Sequence, residues 1–111
     1  MRSSESFPLL GYAVEKYAAA FRGLAIGQWD VRSRLCHVLP ELLMVGATSV
    51  PDEMGVREDI EWIHGQLTRL HPTDAAATLR RIQGKTGAKI AERVVTVYEK
   101  LQAIAEARHG S

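Results

Sequence analysis

DVRSRLCHVL, residues Asp30 to Leu39, gathers Arg32, Arg34, the single cysteine Cys36 and His37 into ten positions. An arginine and a histidine are groups that hold anions and move protons. A histidine of near-neutral pKa takes or gives a proton, while a guanidinium holds an anion and its developing charge. Five helical positions rotate the two side chains about 140° apart, so Arg32 and His37 converge only if the helix bends or a second subunit supplies one of them. Cys36 sits beside an apolar stripe and reads as a small buried group; no separate histidine and Asn or Asp can be placed next to it to activate the thiol. The Cys36–His37 and His64–His71 spacings do not let either pair grip one ion, so neither a metal nor a cofactor is expected.

A second candidate is RRIQGKTGAK, Arg80 to Lys89, which contains GKT. A phosphate-binding loop needs a glycine five positions before the Gly-Lys pair, and Leu79 stands there, after a helical segment instead of a strand. The weaker signal that remains is charge: Arg80, Arg81, Lys85 and Lys89 occur with no acid between Asp74 and Glu92. They are candidate contacts for a nucleic-acid or other anionic partner, with modest and strongly salt-dependent affinity. The competing expectation is that they face Asp52, Glu53, Glu58, Asp59 and Glu61, in this chain or in a neighbouring subunit.

Trp62 is the third. Helical spacing sets it away from the apolar stripe, on the face of Glu58, Gly65, Gln66 and Arg69, with Gly65 leaving room for its ring. Trp62, Gly65 and Arg69 are therefore expected to mark a partner interface, unless another element of the chain covers the ring. Trp29 is expected to plug one end of the fold.

The elements that must position these residues follow from periodicity. Leu10, Val14, Tyr17, Phe21 and Leu24 recur at steps of four and three, between Ser6-x-Pro8 and Gly27. Val31, Leu35, Val38, Leu42 and Val45 repeat the spacing behind an Asp30 N-cap and before Gly46, with Pro40 expected to bend the helix. Val56, Ile60, Ile63, Leu67 and Leu70 form a third stripe opened by Pro51 and closed by His71-Pro72. A shorter piece from Thr73 to Gln83, capped by Thr73, precedes the fourth stripe of Ile90, Val94, Val97, Leu101 and Ile104. Alternation of period two is absent. The expected fold is an all-α antiparallel four-helix bundle in one domain over residues 1–111, its last helix divided near Gly84 to Gly87, with 1–5 and 108–111 frayed.

Composition limits the setting. At 111 residues, 46% hydrophobic and 24% charged, the chain has the balance of a globular domain, and a formal charge of +1 gives no global pull toward nucleic acid or membrane. One cysteine forms no internal disulfide, the apolar run before Glu15 and Lys16 is short for a signal peptide, and nothing approaches the roughly 20 apolar residues of a membrane span. A cytoplasmic protein without membrane contact is expected.

Two resemblances accompany these residues. The Arg32–His37 spacing resembles the R-x(4–6)-H motif of HEPN-domain ribonucleases, helical proteins whose motifs meet across a dimer; that resemblance implies Arg32 and His37 as a catalytic pair, although Ser33 follows the arginine where those motifs often carry an amide or acid. VRSRL, then PDEMGVREDIEWIHGQLT, then AERVVTVYEKL, is similar over residues 20–104 to small bacterial helical proteins with an ERL…P…LT…LY pattern. That similarity implies a bacterial cytosolic helical domain and carries no catalytic residue; Gly55, Gly65 and Pro40 depart from it. The leading expectation is a non-enzymatic interaction module that pairs with itself as a homodimer or with another protein.

Overall fold

The computed structural model describes residues 8–26 and 30–109. Among them the chain forms α1 (Leu10–Ile26), α2 (Val31–His37), α3 (Leu39–Leu43), a 3₁₀ turn at Ala47–Ser49, α4 (Val56–Leu67), α5 (Ala75–Arg81) and α6 (Gly84–His109), with no strand. The molecule is all-helical, and no described helix is long and apolar enough to cross a membrane.

The strictest stripe makes the spine. Ile90, Val94, Val97, Leu101 and Ile104 are all buried along α6, whose 26 residues span about 39 Å at 1.5 Å per residue, most of the molecule's 47 Å long axis. Helices α1, α2 and α4 all pack on it. Contacts between Phe21 and Tyr98, whose rings stack 5.1 Å apart, and around Leu24 and Ala91 set α1 antiparallel to α6. Asp59 meets Arg93 and Lys100 while Glu53 meets Arg108, so α4 also runs against α6.

The first stripe keeps Leu10, Tyr17 and Leu24 in the core but buries Ala13 and Ala20 in place of Val14 and Phe21, which pack half-buried at its edge. Apolar residues occupy both the i+3 and i+4 positions, and the small ones take the side nearest the core. The second stripe is buried from Leu35 to Val45, with Val31 half-buried, but its helix is broken, not bent. Pro40 donates no hydrogen bond and disfavours helical backbone before it. Accordingly α2 closes on Val38, whose N–H reaches Arg34 O, and α3 restarts with Pro40 in its first turn. Helix α3 stops at Leu43, three residues short of Gly46, which is extended and precedes the 3₁₀ turn.

Helix α4 begins five residues later than Pro51 suggests. Met54 and Gly55 both take positive φ, 57° and 72°, and the left-handed Gly55 is the cap before Val56. Glycine bears this conformation without the penalty a Cβ brings. The helix closes on Thr68, ahead of His71-Pro72, and Leu70 is exposed, not part of the core. Asp74, not Thr73, caps α5, its Oδ1 accepting from Ala77 N at 3.1 Å. The division expected near Gly84 to Gly87 lies earlier, at Ile82–Gln83: both glycines are inside α6, and Gly87 N–H bonds Gln83 O. Helix α6 also continues through Arg108, where fraying was expected. Ser6, Gly27 and Trp29 lie outside the described residues.

Candidate functional site

Helix α2 is the junction that places the arginines. Asp30 caps it as expected, Oδ1 accepting from Ser33 N at 2.9 Å, and that hydrogen bond holds the Asp30 carboxyl below the usual carboxylate range. Arg32 Nη1 donates to Ile82 O at 3.0 Å, the carbonyl at the break between α5 and α6, and Nη2 reaches Asp30 Oδ2 at 3.5 Å. The close approach needs a small residue opposite. A Cβ on Gly87 would lie 3.1 Å from Val31 Cγ1 and 3.2 Å from Arg32 Cγ. Arg34 Nη1 donates to Leu24 O at 2.7 Å and ties α2 to the end of α1.

His37 is exposed and lies on the other side, against Gly23 of α1. Within one chain Arg32 and His37 are therefore not brought together, and a shared reaction centre would need a second copy. His64 is engaged structurally, its Nε2 at 2.9 Å from Leu42 O, and His71 N–H donates to Thr78 Oγ1 at 3.1 Å. Among the described residues no three His, Cys, Asp or Glu side chains converge to hold a metal ion.

What α2 and α5 do assemble is an open cleft of about 300 Å³ lined by Asp30, Arg32, Ser33, Cys36, Leu79 and Arg80. Cys36 is half-buried in its wall and packs against the core. Burial pushes its thiol pKa up, Arg80 opposing this in part, so the sulfur stays a protonated, weak nucleophile.

Of the four sequence-predicted cations, Arg80 lines this cleft. Arg80 and Arg81 end α5, and Lys85 and Lys89 sit one turn apart at the start of α6; all four are exposed. None makes an ion pair among the described residues. The acids of the α4 segment that do pair are occupied elsewhere: Asp59 by Arg93 at 3.2 Å and Lys100 at 2.6 Å, and Glu53 by Arg108 at 3.2 Å. Within the chain, then, the basic segment is not neutralised by those acids.

Trp62 is half-buried and packs on the core edge, with the Arg93 guanidinium 4.4 Å from its ring centre. That cover of the ring face comes from α6. The indole does not pack over Gly65, since nothing lies within 4 Å of where its Cβ would be. Gly65 and Arg69 remain exposed on that side of α4.

No family model matches the chain, and no curated protein or solved structure matches it.

Sequence reasoning missed the buried charge at Asp59, although a signal existed. Arg93 and Lys100 are two turns apart and flank the α6 stripe on one side, a spacing that suits two cations converging on one acid. Near them is Tyr17, fully buried, whose hydroxyl has no hydrogen-bond partner among the described residues. Burial first, and the Asp59 charge second, push its pKa far above the usual phenol value. The folded state therefore keeps the proton while the unfolded chain releases it near pH 10. The Tyr17 contribution is constant below that pH and is lost as pH rises further, by about 1.4 kcal/mol per unit. Tyr17→Phe is expected to match or slightly exceed wild-type stability at pH 7, because it deletes an unpaired hydroxyl. By pH 11.5 it should be about 2 kcal/mol more stable than wild type. Urea unfolding of both proteins at the two pH values measures this; an equal loss in both would remove Tyr17 as the alkaline trigger.

Proposed function

We propose that the chain is a non-enzymatic helical interaction module whose partner is a nucleic acid, held through its phosphate backbone on the face formed by α5 and the first two turns of α6. The observation that carries this reading is the set of four exposed cations, Arg80, Arg81, Lys85 and Lys89, which make no ion pair among the described residues while Asp59 and Glu53 pair with Arg93, Lys100 and Arg108 of α6. A uniform charge balance would leave no such face, and the net charge of +1 hides it. Four phosphate contacts supply register and attraction without reading bases, so the binding is tolerant of sequence. We take α1, α2 with α3, α4 and α6 as the sides of an antiparallel four-helix bundle, with α5 laid across one end as the docking edge. A cytoplasmic setting suits the single half-buried thiol and a nucleic-acid partner.

Fluorescence anisotropy with single- and double-stranded oligonucleotides at 50 and 200 mM salt tests the reading. Four contacts predict a slope near −3.6 on duplex and −2.8 on single strands, so affinity falls about 50- to 150-fold over that range. Lys85→Gln with Lys89→Gln should remove about two units of slope. Binding that ignores salt, or no binding at 50 mM, overturns the proposal. A salt-sensitive dimer that ignores both probes also overturns it, since the basic face is then covered by the exposed acids Asp52, Glu58 and Glu61 of a second copy.

A further inference from the structure

We infer that the cleft between α2 and α5 holds a phosphomonoester, presented by the 5′ end of a nucleic-acid strand. The inference rests on the nucleic-acid reading above and names the group that anchors it.

Two guanidiniums line this cleft from different elements. Arg32 is held in place before any ligand arrives, by Ile82 O at 3.0 Å and Asp30 at 3.5 Å. A side chain already fixed loses little rotamer freedom on binding. Arg80 comes from α5, is exposed, and makes no ion pair among the described residues. Ser33 adds a hydroxyl, now hydrogen-bonded to Asp30, that can be exchanged onto a ligand oxygen, and Leu79 supplies the apolar part of the lining. The one carboxylate present, Asp30, already accepts from Ser33 N and from Arg32. Its charge is thus turned toward the α2 cap and the arginine, and the guanidinium of Arg80 is the uncompensated charge of the cleft.

Guanidinium forks favour ligands with several oxygens on one centre. A phosphomonoester offers three terminal oxygens and a charge of about −1.5 to −2 at pH 7, whereas an internal diester offers two and a charge of −1. Two arginines from separate elements bracket the first more completely. The volume, about 300 Å³, is at the small end of ligand sites and suits a phosphoryl group with the start of its ester. Arg81 follows Arg80 at the end of α5, and Lys85 and Lys89 lie on the first turns of α6 beyond the Ile82–Gln83 break, as further contacts for the backbone phosphates.

The test compares one oligonucleotide carrying a 5′-phosphate or a 5′-hydroxyl, at fixed salt, on wild type and on Arg80→Gln, Ser33→Ala and Lys89→Gln. Inorganic phosphate is titrated in parallel while the Ser33 and Cys36 amide resonances are followed. The expected result is at least about 10-fold tighter binding of the phosphorylated end, lost in Arg80→Gln, reduced in Ser33→Ala and kept in Lys89→Gln. Equal affinity for both ends overturns the inference and leaves the nucleic-acid reading standing. Phosphate-dependent shifts at Ser33 and Cys36 without binding of either oligonucleotide uphold the cleft as a phosphate site and overturn the nucleic-acid reading. No shift and no end preference overturns the cleft.

Discussion

Asp59→Ala is expected to cost about 2–3 kcal/mol of folding stability, and about 10 °C in melting temperature for a domain of this size. Asp59 is only 8% exposed and is the one buried acid among the described residues. It joins two turns of α6 to α4 through Lys100 at 2.6 Å and Arg93 at 3.2 Å. Removing the acid leaves two cations facing each other across a gap. Breaking a fully buried pair costs about 3–5 kcal/mol, but Arg93 and Lys100 keep some access to water and can turn outward, which lowers the figure. Arg93 also rests on Trp62, so its release should alter tryptophan emission as well as stability. Adding Lys100→Met to Asp59→Ala should recover part of the loss, since the apolar stem remains and one unpaired charge goes; a double-mutant cycle should return a coupling of about 1–2 kcal/mol. Asp59→Ala within 0.5 kcal/mol of wild type, by chemical denaturation, would show that α4 and α6 are not joined through this carboxylate.

Gly23→Leu is expected to destabilise by about 3 kcal/mol or more, and Gly23→Ala by about 1 kcal/mol. A Cβ at Gly23 would overlap Val38 Cγ1, and Val38 is 2% exposed at the junction of α2 and α3. A β-branched side chain in a packed core has no alternative rotamer to retreat into. Alanine regains roughly 1 kcal/mol of helix propensity inside α1, which offsets part of the overlap; leucine meets the full volume conflict. Val38→Ala, which costs stability by itself, should rescue Gly23→Ala in the double variant because it frees the space the new methyl needs. If Gly23→Leu unfolds at the wild-type denaturant midpoint, α1 and the α2–α3 junction do not approach as closely as this.

Sequence alone determined that this protein is helical and most of the side chains its core contains, although Ala13 and Ala20 replace Val14 and Phe21 and Leu70 is exposed. The α6 stripe from Ile90 to Ile104 is buried at every position, and the Asp30 cap forms as its type and place require. Both are local properties: a repeat of 3.6 and a side-chain oxygen three residues from an N–H are written within one turn or two. Boundaries were less legible. Pro40 was visible, but whether the chain bends or breaks around it depends on how Val38 packs against α1. The left-handed pair at Met54–Gly55, which sets where α4 starts, leaves no periodic trace.

Tertiary structure alone decided the candidate site. Arg32 and Arg80 are 48 positions apart and belong to separate candidates in the sequence, one grouped with His37 and the other with Lys89; they share a cleft because Arg32 anchors on Ile82 O. The question of which acids neutralise which bases was open as well. Asp59 selects Arg93 and Lys100 from across the fold, and Arg80, Arg81, Lys85 and Lys89 are left without it. The physical reason is the range of the forces. Backbone geometry and apolar periodicity act within a few residues and are legible in any window, whereas a salt bridge or a cleft exists only once distant segments are brought within a few ångströms.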